Sequence, residues 1–368
     1  MTTISLCMIV RDEKTVLARC LDSVQEIADE IIVVDTGSAD RTKQVAAAYG
    51  RVLDFAWCDD FAAARNFSFA QATQEYILWL DADDVIEPAD RARFLQLKAG
   101  LDGTADVVML PYHTAFDTQG RPVFTYYRER LLRRAAGLRW QGAVHECIAP
   151  AGQIVYGDAA VSHRKADAGH PSRRNLDIYE RLRAQGETLD ARASFYYARE
   201  LMADGQDETA ARAFEDFLAR TDGWVENRIE ACRNLADCLV RLGRRDQAKQ
   251  ALVRSFAMDC PRGETCCALA ALALQEGELE QAAFWYRTAL QAPCHPERGG
   301  FVYRPSYDFI PCLGLCVCCD RMGQHEQAAI WNERAAMVQP DAPEVAYNRR
   351  YFAGRQADSD RAANQGIE

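Results

Sequence analysis

Apolar and polar positions follow two rhythms along this chain, and the change falls near residue 192. In the first half, short apolar runs alternate with stretches of helical period. Ile4–Val10 is an apolar run closed by Arg11-Asp12-Glu13-Lys14 and reads as a buried strand. Residues 14–24 place Val16, Leu17, Cys20, Leu21 and Val24 on one helical face. Residues 30–34 are β-branched almost throughout and predict a second buried strand that ends at Asp35. A helix over 40–49 follows, with Asp40 as its N-cap, then a short strand at 51–57 and a helix at 61–73. A strand at 76–80 delivers Asp81 and Asp83, and a later strand is predicted over 153–161. Strands alternating with helices imply a mostly parallel sheet covered on both faces, with ligands at the carboxyl ends of the strands. Asp35, Asp81 and Asp83 fall at such ends and could face one crevice.

The second half is helical throughout and repeats. Gly205, Gly243, Gly277 and Gly323 each precede an alanine by five residues: Ala210, Ala248, Ala282 and Ala328. Gly243 and Gly277 are 34 residues apart, the period of a tetratricopeptide repeat; the flanking spacings of 38 and 46 indicate insertions. Each unit reads as a helix, a tight turn at glycine and a second helix, such as 280–291. The insertion at 293–311 carries Phe301, Tyr303 and Tyr307, which read as exposed aromatics on an ordered loop able to meet a substrate or partner. Residues 176–189 read as a connecting helix. The fold class is thus α/β plus all-α, with a sheet domain at 1–165, a linker helix at 166–191, helical repeats at 192–352 and a tail at 353–368 expected to lack order.

Composition narrows the function. The chain has 368 residues, 49% of them hydrophobic and 26% charged, as in ordinary globular proteins with a proper core. Its net charge of −11 argues against a nucleic-acid partner, which requires a basic surface. The apolar start lacks a basic flank, so no signal peptide is expected, and no apolar run reaches the roughly 20 residues a membrane span needs. A cytoplasmic location is the expectation, with the 14 cysteines reduced. Cys312, Cys316, Cys318 and Cys319 lie in one predicted helix, where cysteine serves as a small buried hydrophobe.

The chemistry sits in the first half. Paired carboxylates at a strand end suit a hard cation, Mn²⁺ or Mg²⁺, which neutralises a diphosphate. Asp35-Thr36-Gly37-Ser38 has one glycine where a dinucleotide fingerprint needs three, so a nicotinamide or flavin cofactor is not expected. The basic run Arg128, Arg130, Arg133 and Arg134 reads either as a diphosphate contact or as a solvated face.

Four stretches occur in a telling order: Ser5-Leu6-Cys7-Met8-Ile9-Val10-Arg11-Asp12-Glu13, Val33-Val34-Asp35-Thr36-Gly37-Ser38-Ala39-Asp40, Asp60-Phe61-Ala62-Ala63-Ala64-Arg65-Asn66 and Leu80-Asp81-Ala82-Asp83-Asp84. Together they resemble an inverting family-2 glycosyltransferase with a Rossmann-like GT-A fold, over about residues 1–165. The trailing repeats resemble the subset of such enzymes that carry a C-terminal tetratricopeptide domain, some of which glycosylate peptides or proteins, cysteine side chains included. The resemblance implies a UDP-sugar donor. Asp35 would accept a hydrogen bond from uracil, Arg65 would hold the nucleotide with Asn66 beneath it, and Asp81 would sit near the ribose. Arg11 would join the same donor-binding set. Asp83 would ligate the cation, and His163 would close the metal shell.

Inverting transfer also needs a general base. Where that family usually offers an acidic pair, this chain has His145-Glu146. Glu146 is the candidate base; His145 could share that task, orient the sugar or polarise Glu146. The expected reaction is transfer of a sugar from a UDP-sugar to a peptide or protein side chain, O- or S-linked. The alternatives are a lipid-linked or surface-polysaccharide acceptor, or a non-catalytic repeat scaffold. Repeat domains often dimerise, so a homodimer is an open expectation.

Overall fold

The computed structural model describes residues 2–117, 119–165 and 173–365. It divides into two compact units, Met1–Gly205 with Pro296–Phe301, and Gln206–His295 with Val302–Glu368.

The first unit is built on a mixed, mostly parallel sheet. Its strands are β1 (Ile4–Val10), β2 (Glu30–Asp35), β3 (Arg51–Asp54), β4 (Tyr76–Trp79), β5 (Asp84–Val85), β6 (Val107–Phe116) and β7 (Pro122–Arg133). A small ladder follows, β8 (Trp140–Gln141) with β9 (Cys147–Ile148), then β10 (Ile154–Tyr156) and β11 (Val161–His163). The sheet runs β3-β2-β1-β4-β7-β6-β11-β5, parallel from β3 to β4, with antiparallel pairs at β4–β7, β7–β6 and β11–β5. Helices α1 (Leu17–Val24), α2 (Thr42–Ala47), α3 (Phe61–Ala70), α4 (Pro88–Gly100), α5 (Arg174–Ala184) and α6 (Ala191–Ala203) complete the unit.

Side-chain alternation explains why the strands read as continuous apolar runs. Ile4, Leu6, Met8 and Val10 of β1 join one core cluster with Leu17 and Leu21 of α1 and Phe94 of α4. Cys7, one step out of phase, joins another with Ile32, Val34, Phe69 and Trp79. Both faces of the central strands are therefore covered, and no polar phase is needed. The α3 helix starts where the carboxylate of Asp60 accepts from the backbone N–H of Ala63, 2.9 Å away.

Two features depart from the expected pattern. The long β6–β7 hairpin and α4 fill a stretch in which periodicity predicts no element. The strand expected over 153–161 is two strands, both parallel to β6. Ile154 faces Val107 while Val161 faces Tyr112, so this chain takes seven steps where β6 takes five. The surplus loops out at Gly157, where a Cβ would lie 2.8 Å from Cδ2 of Leu110.

The second unit is built mainly of α-helices: α7 (Asp207–Ala219), α8 (Val225–Arg241), α9 (Arg245–Arg254), α10 (Gly263–Glu276), α11 (Leu279–Gln291), α12 (Phe309–Arg321), α13 (His325–Val338) and α14 (Pro343–Gln365). Gly277 ends α10 at φ +83°, with open space where a Cβ would stand, so the left-handed turn rather than crowding asks for glycine. Gly314 answers to crowding instead: a Cβ there would lie 2.3 Å from the Tyr286 ring. Ala210, Ala248, Ala282 and Ala328 are all fully buried, as close helix pairing requires. Cys266, Cys267, Cys312, Cys316, Cys318 and Cys319 are buried in the apolar clusters between these helices, and no cysteine among the described residues is in a disulfide. Within the 293–311 insertion, Tyr303 is exposed, but Tyr307 is not. It is buried, and its hydroxyl donates to Glu264 at 2.7 Å. Phe301 belongs to the first unit and stacks on Phe124 of β7. Helix α14 extends over most of the segment expected as a tail. Among the described residues, no helix is long and apolar enough to cross a membrane.

Candidate active site

The carboxyl ends of β1, β2 and β4 lie side by side, with Val10 paired to Asp35 and Cys7 to Trp79. They open onto a crevice of about 300 Å³, at the lower end of the range for small-molecule sites. Arg11, Glu13, Arg65, Asp81, Asp83, His145 and Glu146 line it, and Trp57, Phe61, Arg174 and Asn175 complete the walls.

Asp35 ends β2 fully buried. Its Oδ1 accepts from the backbone N–H groups of Gly37 (3.0 Å) and Ser38 (2.9 Å), a turn that needs φ +107° at Gly37. Its Oδ2 is buried with no partner among the described residues. A buried carboxylate oxygen without a donor is costly, and a ligand N–H would repay that cost.

Arg65 ties the two sides of the crevice together. Its Nη2 lies 2.6 Å from Oδ1 of Asp81 and its Nε 2.5 Å from Oε1 of Glu146. The guanidinium also faces the rings of Trp79 and Trp140, at 5.3 and 4.7 Å. Burial works to lower the Arg65 pKa, but the Asp81 and Glu146 carboxylates outweigh it and raise it. Burial would raise that of Asp81; Arg65, with Arg130 and Arg128, holds it below the ordinary carboxylate value. Asn66 is spent differently. Its amide donates to the Trp140 carbonyl and accepts from the Trp140 N–H, both at 3.0 Å, so it fixes the tryptophan that covers Arg65.

Asp83, Asp84 and His163 place one ligand atom each within 4.8 Å of one another. Two carboxylates suit Mn²⁺ or Mg²⁺, and the imidazole beside them favours Mn²⁺ of the two, so the group fits a divalent cation. The three are not equal, however. Asp84 is fully buried and already serves Arg130 Nη1 (3.0 Å), the Tyr112 hydroxyl (2.9 Å) and the Asp81 N–H (3.0 Å). Asp83 and His163, with Nδ1 3.3 Å from the Asp83 carboxylate, keep partial exposure. Burial would lower the pKa of His163, yet Asp83 and Asp84 raise it to about 9, so the site attracts positive charge.

The basic run does not line the crevice, and mainly its end, at Arg133 and Arg134, meets solvent. Arg130 is fully buried beneath the acidic turn, its guanidinium between the rings of Trp79 (3.9 Å) and Tyr112 (4.2 Å). Arg128 pairs with Glu129, and Arg133 with Asp106. Arg134 donates to the Gln74 carbonyl at 2.7 Å. A strand this charged is stable inside because each buried charge meets an anion or an aromatic face.

The loop at 142–146 hangs on three helices through successive carbonyls. Ala143 accepts from the Phe61 N–H of α3 (2.8 Å), Val144 from the Tyr179 hydroxyl of α5 (3.3 Å) and His145 from Nε of Arg192 on α6 (3.0 Å). His145 itself has a left-handed backbone, φ +50°. Its ring stacks on Tyr196, centroids 4.1 Å apart, and its Nε2 meets Oε1 of Glu200 at 2.5 Å. Burial would raise the pKa of Glu200, and His145 and Asn175 lower it. Arg174, over the Phe61 ring at 4.7 Å, is lowered by burial and by Arg11. Arg174, Asn175 and Glu200 carry no familiar motif. The one legible signal was the spacing of Arg192, Tyr196 and Glu200, four residues apart on one face of α6.

Residues 5–151 match the model of Glycosyl transferase family 2. The chain is 31% identical over 303 residues to a TPR repeat-containing protein of Synechococcus elongatus, covering 80% of this chain and 67% of that one. It is 27% identical over 261 residues to the SPbeta prophage-derived glycosyltransferase SunS of Bacillus subtilis, 65% of this chain and 58% of that one. A shorter match of 28% over 162 residues joins it to the lipopolysaccharide core biosynthesis glycosyltransferase LpsC of Rhizobium meliloti, 41% of this chain and 58% of that one. The chain thus spans about two thirds of the first relative's length and 58% of the other two. With a sheet whose strand ends carry Asp35, Asp81 and Asp83, and helical repeats later in the sequence, the chain belongs to the family-2 glycosyltransferases, as a GT-A domain followed by repeats of tetratricopeptide type.

Proposed function

We propose that this glycosyltransferase moves a sugar from a UDP-sugar to a peptide or protein side chain, through oxygen or sulfur, with inversion at the anomeric carbon. The observation that carries the donor assignment is Oδ2 of Asp35, buried and without a donor, one strand away from the Asp81–Asp83 turn. The imide N–H of uracil supplies the missing donor, and the diphosphate then extends toward Asp83. Asp83 and His163 would hold Mn²⁺ or Mg²⁺, which when bound would offset the charge of the leaving diphosphate. Arg65 keeps Asp81 ionised and in place on the ribose side, and Arg11 adds positive charge at the crevice wall.

The acceptor O–H or S–H attacks the anomeric carbon from the face opposite the diphosphate. The bond from that carbon to the phosphate oxygen breaks, its electron pair stays on UDP, and a base in the His145–Glu146 loop removes the acceptor proton. Stacked helix pairs like those of the second unit present surfaces that commonly take peptides, which supports a peptide acceptor. The likeness to a lipopolysaccharide core enzyme favours a second reading, a surface-polysaccharide acceptor on the same catalytic domain. A screen of UDP-sugars with Mn²⁺, read as binding by calorimetry and slow hydrolysis by mass spectrometry, tests the donor. If no UDP-sugar binds, the proposal fails. Transfer to a peptide library against transfer to a deacylated lipopolysaccharide core separates the two acceptors.

A further inference from the structure

Two residues of the 142–146 loop offer themselves as base, and their surroundings differ in kind. Glu146 is held by Arg65, Nε to Oε1 at 2.5 Å, inside the network that also fixes Asp81. Its Oε1 is thus engaged by a buried guanidinium on the donor side of the crevice and is not open to an acceptor group. His145 has the opposite setting. Its Nε2 faces Oε1 of Glu200 at 2.5 Å, and the same oxygen accepts from Asn175 Nδ2 at 3.2 Å. An ionised carboxylate can only accept, so the imidazole must donate through Nε2. The neutral ring then carries its lone pair on Nδ1, and His145 is half-buried in the crevice wall.

The rest of α6 is shaped to the same ring. Arg192, Tyr196 and Glu200 form one stripe and meet His145 at three points. Arg192 holds its carbonyl (3.0 Å), Tyr196 lies flat against its face (interplanar angle 14°), and Glu200 takes its Nε2–H. The guanidinium of Arg192 in turn covers Tyr196 at 4.7 Å. A left-handed backbone at a non-glycine residue is strained and persists only where its surroundings over-determine it. Here they do so for a residue that lines the crevice.

We infer that His145 is the general base of the transfer, taking the acceptor proton on Nδ1, and that Glu200 is its positioning residue, which fixes the tautomer and stabilises the imidazolium. Glu146 belongs to the donor side, with Arg65 and Asp81. This rests on the transferase reading above. In the step itself the acceptor O–H or S–H bond breaks and the proton goes to Nδ1. The new glycosidic bond forms as UDP departs with the old bond's electron pair. The charged and titratable groups around the imidazole are Glu200, Tyr196, Arg192 and Arg199 of α6, Arg174 of α5, and Glu146 beside it.

The first test uses the full chain without substrate. In ¹⁵N-histidine-labelled protein, His145 is assigned by its absence in His145→Asn, a variant that keeps the left-handed backbone because asparagine tolerates it. In its neutral form the ring is expected as the Nε2–H tautomer, and Glu200→Gln is expected to mix or reverse it. A wild-type ring protonated on Nδ1 overturns the inference. The second test measures UDP affinity and hydrolysis of UDP-glucose, UDP-galactose and UDP-N-acetylglucosamine with Mn²⁺. His145→Asn should lower kcat about 100-fold or more, the range for a lost general base, with UDP affinity within twofold of wild type. Glu200→Gln should lower kcat at least about 10-fold, with UDP affinity within twofold of wild type. Glu146→Gln should instead weaken UDP binding. Hydrolysis by His145→Asn within threefold of wild type, or a loss of UDP affinity that accounts for its lost rate, overturns the base assignment alone. A wild type that binds neither UDP nor any of the three donors overturns the transferase reading itself, and the tautomer result identifies which has failed.

Discussion

Arg65 on α3 and Glu146 in the loop after β8 are joined by a buried ion pair, Nε to Oε1 at 2.5 Å, across 81 residues of sequence. The same guanidinium reaches Asp81, so one side chain sets the distance between the acidic turn and the loop that carries the candidate base. Lysine has the charge but not the fork. Arg65→Lys should therefore lose one of the two contacts, lower stability by about 1–3 kcal/mol and weaken UDP binding about 10-fold. Urea unfolding and calorimetric titration with UDP check both effects.

Asp83 and Asp84 are neighbours with opposite expected phenotypes. Asp84 neutralises Arg130, and both are fully buried; Asp84→Asn should cost about 3–5 kcal/mol by leaving that charge unpaired. Asp83→Asn should leave the melting temperature nearly unchanged but abolish Mn²⁺-stimulated UDP binding. Thermal melts of the two variants, with and without Mn²⁺ and UDP, separate the roles.

Asn66 exchanges two hydrogen bonds with the backbone of Trp140, whose ring covers Arg65. Asn66→Ala should cost about 1–3 kcal/mol, because it leaves a buried backbone group unsatisfied. Donor affinity should fall less than in Arg65→Lys, and the quenching of tryptophan fluorescence by added UDP reports the difference.

The acid limb of stability follows from Asp81, whose folded pKa lies below its ordinary 3.8. A depressed carboxylate contributes stability that is present above the unfolded value and lost as pH falls through the folded one. Wild-type stability should thus decline as pH drops below 3.8, and Asp81→Asn should show a shallower decline over that window. Urea midpoints measured between pH 5 and pH 2 test the slope.

Because α6 belongs to the first unit and grips His145, the place of truncation matters. A chain ending at Gly205 should keep UDP binding and donor hydrolysis, whereas one ending at residue 190 should lose hydrolysis. Parallel assays of the two chains decide it.

What could be read from the sequence was what is local. Strands β1, β2 and β4 were legible because burial on both faces leaves an unbroken apolar run, and the carboxylates that end β2 and follow β4 mark the crevice without reference to any other residue. The repeat glycines were legible for the same reason: a left-handed turn makes its demand at a single position. The β6–β7 hairpin was hidden, since Pro111 interrupts one strand and arginines fill the other. Its stability depends on Asp84, Trp79 and Tyr112, which the sequence places far from Arg130 or on another strand. The division of labour at the site was hidden as well. The sequence presents His145 and Glu146 as one pair, and tertiary contacts separate them, giving Glu146 to Arg65 and His145 to Glu200. A side chain's type is written in the chain; the partner that tunes its charge and tautomer is chosen only when distant elements pack together.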